Sequence, residues 1–196
     1  MENTVARFEF RIFGDNFNAV EKMMAEKYIP GPLKDSAEVY ILSRNTDTSN
    51  CKIRFDLLDI KQLISRQDDL EQWIPKIKVT FPVSTEILQY EIFKYLEVEK
   101  PKFRHPEYNF DLFMDEIVEV HPDLTIVNVI KKRQGFTMDT CSMEVAHIEI
   151  NGKPQMTVGI ESLNVDEIQA YRKVLGLSSY ENENYVQALK RLSVIM

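Results

Sequence analysis

Hydrophobic and polar residues alternate with a period of two over much of this chain, and the stretch RFEFRIFG shows it without interruption. Phe8, Phe10 and Ile12 fall on one side of an extended chain, and Arg7, Glu9 and Arg11 on the other. The same alternation predicts strands over Val5 to Phe13, Ala37 to Ser43, Cys51 to Phe55, Leu57 to Ile64, Pro75 to Phe81, Thr125 to Arg133, Ser142 to Asn151 and Gln155 to Ser162. Turn chemistry separates several of them: IPGPLKD precedes the second, RNTDTSN the third, and Asn151-Gly152 between the last two favours a two-residue hairpin turn.

A period near 3.6 appears in four places. Asn16 to Lys27 spaces Phe17, Val20, Met24 and Tyr28 along one face, and Thr85 to Leu96 follows Ser84 as N-cap. Val165 to Leu175 lies between a cap at Asn164 and a stop at Gly176, and Asn184 to Ile195 closes the chain with an amphipathic pattern. The stretch around residues 97–120 is irregular, and Pro101 and Pro106 argue for an excursion from the sheet. Many short strands with few helices predict a mainly β (α+β) chain, built as a closed antiparallel barrel or a sandwich in one domain over residues 1–196.

Composition adds exclusions. With 196 residues, 44% hydrophobic and 28% charged, the chain is long enough for a substantial core. Its apolar runs are far shorter than the roughly 20 residues of a membrane helix, so no membrane partner is expected. MENTVARFEF lacks the basic start and apolar centre of a secretory signal, which predicts a cytoplasmic protein. A net charge of −7 carries no overall basic excess, which argues against a nucleic-acid partner. Cys51, Cys141, His105, His121 and His147 are scattered with no metal-ligand spacing.

The placement of cations is more informative than their number. Arg7 and Arg11 flank Glu9; Lys52 and Arg54 occur in CKIRF, Lys76 and Lys78 in PKIKV, Lys131 and Arg133 in IKKRQG. Each pair shares one face of a predicted strand. Such faces are either solvated outer walls or the inside of a barrel that holds an anion. Trp73 is read as an anchor at the rim, Tyr40 as a packing residue and His147 as a hydrogen-bonded structural residue.

These motifs, in this order, resemble the CYTH domains, the triphosphate tunnel metalloenzymes that include class IV adenylyl cyclases, thiamine triphosphatases and inorganic tripolyphosphatases. RFEFR resembles the Glu-x-Glu-x-Lys opening, CKIRF the Arg-x-Arg strand, PKIKV the lysine strand and IKKRQGF the later arginine strand. TVGIESLNVDEIQAYRKVLGL resembles the acidic strand and helix that follow, and ENENYVQALKRL the closing helix. The resemblance covers nearly the whole chain and implies an eight-stranded antiparallel tunnel barrel with flanking helices. It also implies Arg7, Arg11, Lys52, Arg54, Lys76, Lys78, Lys131 and Arg133 as phosphate-binding residues. Mg²⁺ or Mn²⁺ is the implied cofactor, on Glu9 and Glu161.

Two positions depart from the family pattern. Arg7 stands where the first glutamate is expected, and Gly159 where the final strand has a second one. Glu144 and Glu149 are candidate replacement ligands, and on a regular strand their opposite parity lets only one face inward. The implied partner is a small tri- or polyphosphate, and the implied activity is its metal-dependent hydrolysis. A phosphometabolite-binding protein with impaired catalysis is the alternative. Adenylyl cyclisation would also need a nucleoside pocket, for which the sequence carries no specific signal.

Overall fold

The computed structural model describes residues 5–138 and 140–193. Strands β1 (Arg7–Gly14), β2 (Pro30–Ser43), β3 (Ser49–Arg54), β4 (Leu57–Gln67) and β5 (Leu70–Thr80) come first, and β8 (Leu124–Met138), β9 (Cys141–Ile150) and β10 (Lys153–Ser162) later. They close into an antiparallel barrel in the order β1-β10-β9-β8-β2-β3-β4-β5. Between the two groups, β6 (Val83–Ser84) and β7 (Glu107–Tyr108) form a small ribbon of their own. Helices α1 (Asn18–Lys27), α2 (Thr85–Ile87), α3 (Phe93–Leu96), α4 (Phe110–Phe113), α5 (Val165–Val174) and α6 (Tyr185–Leu192) lie outside the wall or across its end. A π turn, Leu88–Ile92, joins α2 to α3, and another, Met114–Val118, extends α4. Among the described residues, no helix is long and apolar enough to cross a membrane.

The expected punctuation holds. Asn151 and Gly152 turn with φ of 47° and 83°, and Gly176 ends α5 with φ 71°. Ser84 and Asn164 cap α2 and α5 by accepting from the Ile87 and Asp166 amides. Four strands outrun their sequence signal: β2, β4, β5 and β8, the last running on to Met138. β2 begins at Pro30 rather than Ala37, because Pro30 to Ser36 pair only with β8 and leave a free edge where prolines break no ladder. The β4–β5 hairpin reaches Gln67 and turns on Asp68 and Asp69, both at positive φ. The expected helix over Asn184 to Ile195 is seen through Leu192, with Asn184 as its cap in a capping box with Gln187. Val194 and Ile195 lie outside the described residues.

The strand period decides where the core sits. Outward residues Phe10, Ile12, Met143, Val145, Val158 and Ile160 pack with Phe17 and Met24 beside α1 and with Ile168 of α5. On the opposite side, Ile41, Ile53, Leu58 and Ile60 meet Phe93, Leu96, Tyr108, Phe113 and Ile117 of the excursion. Each such fully buried side chain stabilises the fold by roughly 1.5–3 kcal/mol. The apolar core therefore lies largely between the barrel wall and its helices, which frees the inner face for charge. One end of the interior is apolar: Tyr40, Leu42, Val127, Val129, Ala146, Ile148 and Ile150 gather there against Tyr185, Val186 and Leu189 of α6. The helix is fastened across that end by Lys190, which donates to the Thr46 carbonyl between β2 and β3, and by the Arg11 amide, which donates to Asn182 Oδ1.

Candidate functional site: the charged barrel interior

The inner face of the remaining barrel is polar on every strand. Glu9 and Arg11 of β1, Tyr40 of β2, Asn50 and Lys52 of β3, Asp59 and Lys61 of β4 and Trp73 of β5 line a single cavity of about 100 Å³. Lys131 and Arg133 of β8, Glu144 of β9 and Glu161 of β10 complete the wall, with Asn184 and Tyr185 from α6. The all-charged face of RFEFR thus points inward for Glu9 and Arg11.

One side of the cavity is organised around Arg11. Its Nε donates to Glu9 Oε1 at 2.5 Å, and its Nη1 lies 3.4 Å from Glu144 Oε1 and 3.3 Å from Thr157 Oγ1. Arg133 Nη1 approaches the other Glu144 oxygen at 3.2 Å. Burial alone would raise the Glu144 carboxyl, but Arg11, Lys131 and Arg133 outweigh it and hold it down to about 2. Burial also raises Glu9, yet Arg11 and Lys61 leave it below its ordinary value. Glu161 faces Glu9 directly across the β1–β10 ladder. Burial first, and the Glu9 charge second, push the Glu161 carboxyl up.

The opposite side is organised around Glu38, which sequence reading did not single out. It is 1% exposed. Its Oε2 accepts from Tyr40 OH at 2.9 Å and lies 3.5 Å from Lys52 Nζ and 3.6 Å from Lys131 Nζ. Its Oε1 accepts from Arg54 Nη1 at 3.2 Å and Ser36 Oγ at 3.3 Å. Burial raises this carboxyl, but Lys131 and Lys52 prevail and bring it to about 2. Burial draws Lys52 down to about 8 despite Glu38, and draws Lys131 down as well.

At the closed end, Tyr185 stacks on Tyr40 with centroids 5.5 Å apart and meets Phe13 edge-on at 4.9 Å. Lys131 Nζ lies 4.3 Å and Arg11 Cζ 4.9 Å from the Tyr185 ring centre. Among the described residues, the buried Tyr185 hydroxyl and Arg133 Nε have no hydrogen-bond partner. Trp73 is a wall residue whose Nε1 donates to Glu71, which also accepts from Asn184.

The cavity therefore gathers Arg11, Lys52, Lys131, Arg133, Glu9, Glu144 and Glu161 from the expected set. Arg54 reaches it through Glu38 and also borders a surface groove at the open end, where Arg133 is a second wall. Arg7 is elsewhere: its guanidinium donates to the Thr140 and Glu161 carbonyls at the rim. Lys76 and Lys78 are exposed and outside the lining. Lys76 is the extra residue of a β-bulge opposite Ile60 and Lys61, whereas Lys78 pairs with the lining residue Asp59 across the β4–β5 ladder. Of the two candidate replacement glutamates, Glu144 faces inward and Glu149 is exposed on the outer wall. His147 is also outside, paired with Glu21 of α1.

No family model and no curated protein matches this chain. Solved structures do. HpAC1 from Hippeastrum, described as a candidate adenylyl cyclase with a dominant triphosphatase activity, superposes with a TM-score of 0.54 at 11% identity over 97% of both chains. PH1012 from Pyrococcus horikoshii gives 0.53 at 14% identity, over 92% of this chain and 98% of that one. A candidate adenylate cyclase from Bacillus halodurans gives 0.51 at 12%, over 92% and 96%. The chain shares the closed antiparallel barrel fold of these proteins. Within that fold, the inward charges, one capped end and one open end come from this chain's own residues, and two of its features are unlike the expected pattern. Arg11 is neutralised by two glutamates, and Glu38 neutralises a whole bank of cations.

Proposed function

We propose that the barrel binds a small tri- or polyphosphate and hydrolyses it in a divalent-metal-dependent reaction. The observation that carries this reading is that one cavity is lined both by cations, Lys52, Lys131 and Arg133 on β3 and β8, and by Glu9 and Glu161, which face each other on β1 and β10. Cations fixed in a water-poor cavity attract phosphate oxygens more strongly than surface cations do, and arginine adds directional donors. Tyr185 OH and Arg133 Nε are buried donors without an acceptor, as expected of groups that complete their bonds on an anion. The triphosphatase activity named for HpAC1 is consistent with this proposal.

The fit of a metal is tested by Glu161. It has no ion pair or side-chain hydrogen bond among the described residues, it lines the cavity, and it lies opposite Glu9. Two carboxylates are hard oxygen donors that suit Mg²⁺ or Mn²⁺, with phosphate and water oxygens filling the other positions. Among the described residues no group of three acidic, His or Cys side chains forms a ready-made site, so Glu9 and Glu161 would hold the ion with the ligand's help. When bound, the ion would neutralise charge developing on the phosphoryl oxygens. This chain's residues do the rest: Lys52, Lys131 and Arg133 orient the phosphate chain, and Tyr185 closes the far end against water.

A second reading, a binding protein with little catalysis, is favoured by Glu144 and Glu38. Both already neutralise the cations that a substrate would need. A screen of Mg²⁺ and Mn²⁺ against tripolyphosphate and nucleoside triphosphates, read as released phosphate, separates the two. Release that Glu9→Ala and Glu161→Ala both abolish is expected. Binding without release across the panel would replace the hydrolase by the binding protein.

A further inference from the structure

Glu38 itself belongs to none of the sequence motifs and has no role in the proposed reaction, although the cations around it do. Its two oxygens are surrounded by five donors, Tyr40 OH, Ser36 Oγ, Lys52 Nζ, Arg54 Nη1 and Lys131 Nζ, which come from three different strands. Three cations around one carboxylate are more than its charge requires. Such a shell suits an oxyanion with more oxygens and more charge, which is the description of a phosphoryl group.

Occupancy points the same way. The cations that line the cavity are already engaged by carboxylates, Lys52 and Lys131 by Glu38 and Arg133 by Glu144. Something must give way when an anion enters. The β2–β3 ladder runs through Val39, Tyr40 and Ile41, so Glu38 sits one residue beyond it, where the two strands part. Its backbone is held by β8 alone, through the pairing with Val129.

The geometry points to Glu38 as a tethered occupant of a phosphoryl-group site formed by Lys52, Arg54, Lys131 and Tyr40, from which an incoming anion displaces it. Displacement sets selectivity by charge. A single inorganic phosphate gains too little to expel a carboxylate already bound by three cations, whereas a longer polyphosphate reaches Arg133 and the far wall as well. Glu38 thereby excludes the product of hydrolysis more strongly than the substrate. The identity of the longer ligand rests on the function proposed above; the site itself rests on the contacts of Glu38.

The test uses inorganic phosphate on the full chain, with wild type, Glu38→Gln and Glu38→Asp compared by titration calorimetry and by thermal unfolding. Glu38→Gln is expected to bind phosphate at least about tenfold more tightly than wild type, equivalent to about 1.4 kcal/mol. Phosphate should also raise its unfolding midpoint more than it raises that of wild type. Equal phosphate affinity in folded wild type and folded Glu38→Gln overturns the proposal. If Glu38→Gln does not fold in phosphate-free buffer, cooperative unfolding regained on adding phosphate supports it. If phosphate does not restore folding, Glu38→Asp decides: it keeps the charge but withdraws it by one methylene, and tighter phosphate binding supports the proposal while unchanged binding overturns it. Absence of phosphate release by wild type would count against the hydrolase alone, because the phosphate titration does not depend on turnover.

Discussion

Arg11 lies against Gly159 across the β1–β10 ladder so closely that a Cβ on residue 159 would stand 2.5 Å from Nη2 and 2.7 Å from Cζ. The guanidinium occupies the space that any side chain at position 159 would need. The resemblance to the CYTH pattern leads one to expect lysine at 11 and glutamate at 159. The two departures are complementary, since a Cβ at position 159 would have to displace the guanidinium from where it now lies. Arg11 then reaches the glutamates at 9 and 144 and takes up their charge.

Gly159→Ala is accordingly expected to lower stability by about 1–3 kcal/mol, the usual range for overpacking. It should also weaken the Arg11 contacts to Glu9 and Glu144. In an Arg11→Lys background the same substitution should cost less, because lysine lacks the flat group over residue 159. A double-mutant cycle in denaturant unfolding measures the coupling. Additive effects would show that Gly159 is not constrained by Arg11.

Acid should unfold this protein through its interior. The carboxyls of Glu38 and Glu144 lie at about 2 in the folded chain against an ordinary value of 4.5. A depressed folded value means that the unfolded chain binds the proton more readily, so stability falls as pH drops from about 4.5 to about 2. Each group contributes roughly 2–4 kcal/mol of pH-dependent stability above that window. Denaturant midpoints measured from pH 7 down to pH 2 should fall steeply for wild type. The slope for Glu144→Gln should be shallower.

Lys52 should act at the other end of the scale. Burial lowers it to about 8, so above that pH it loses its charge while an unfolded lysine keeps its own up to about 10.5. The unfolded chain then holds more protons, and this group makes stability increase between pH 8 and 10.5. Anion binding should move in the opposite direction. Tripolyphosphate affinity is expected to decline above about pH 8 in wild type. Lys52→Arg should hold its affinity to higher pH, because the guanidinium stays charged. Parallel affinity profiles for both proteins would exclude Lys52 from the binding site.

Alternation and turn residues made most of the barrel legible, because each strand has one apolar face to bury and the strand period is fixed. What they concealed has specific causes. Pro30 and Pro32 disguised the first half of β2, which tolerates them only because its outer edge is free. Lys76 and Lys78 read as one inward pair, but the bulge at Lys76 takes it out of the alternation, while Lys78 pairs with the lining residue Asp59 and stands exposed beyond the cavity. Glu38 was invisible because AEVYIL reads as an ordinary strand with one polar position. Its importance comes from Lys52, Arg54 and Lys131, which lie on strands distant in sequence. Tyr185 belonged to a recognisable closing helix, but its insertion beneath Arg11 and Lys131 depends on how α6 crosses the barrel end.

Tyr185 offers a test that separates binding from packing. Its ring is held by Tyr40 and Phe13 and carries two cations on its faces, while its buried hydroxyl has no partner. Replacing the whole ring should therefore be severe: Tyr185→Ala is expected to cost about 3–5 kcal/mol in unfolding free energy. Tyr185→Phe keeps the ring and removes only a donor without a partner among the described residues, so its stability should match wild type within about 0.5 kcal/mol. If the hydroxyl serves an anion in the cavity, the same variant should bind tripolyphosphate about three- to tenfold more weakly, the worth of one hydrogen bond. Unchanged affinity with unchanged stability would mean that the hydroxyl does not contact the ligand and that the anion stops short of the closed end.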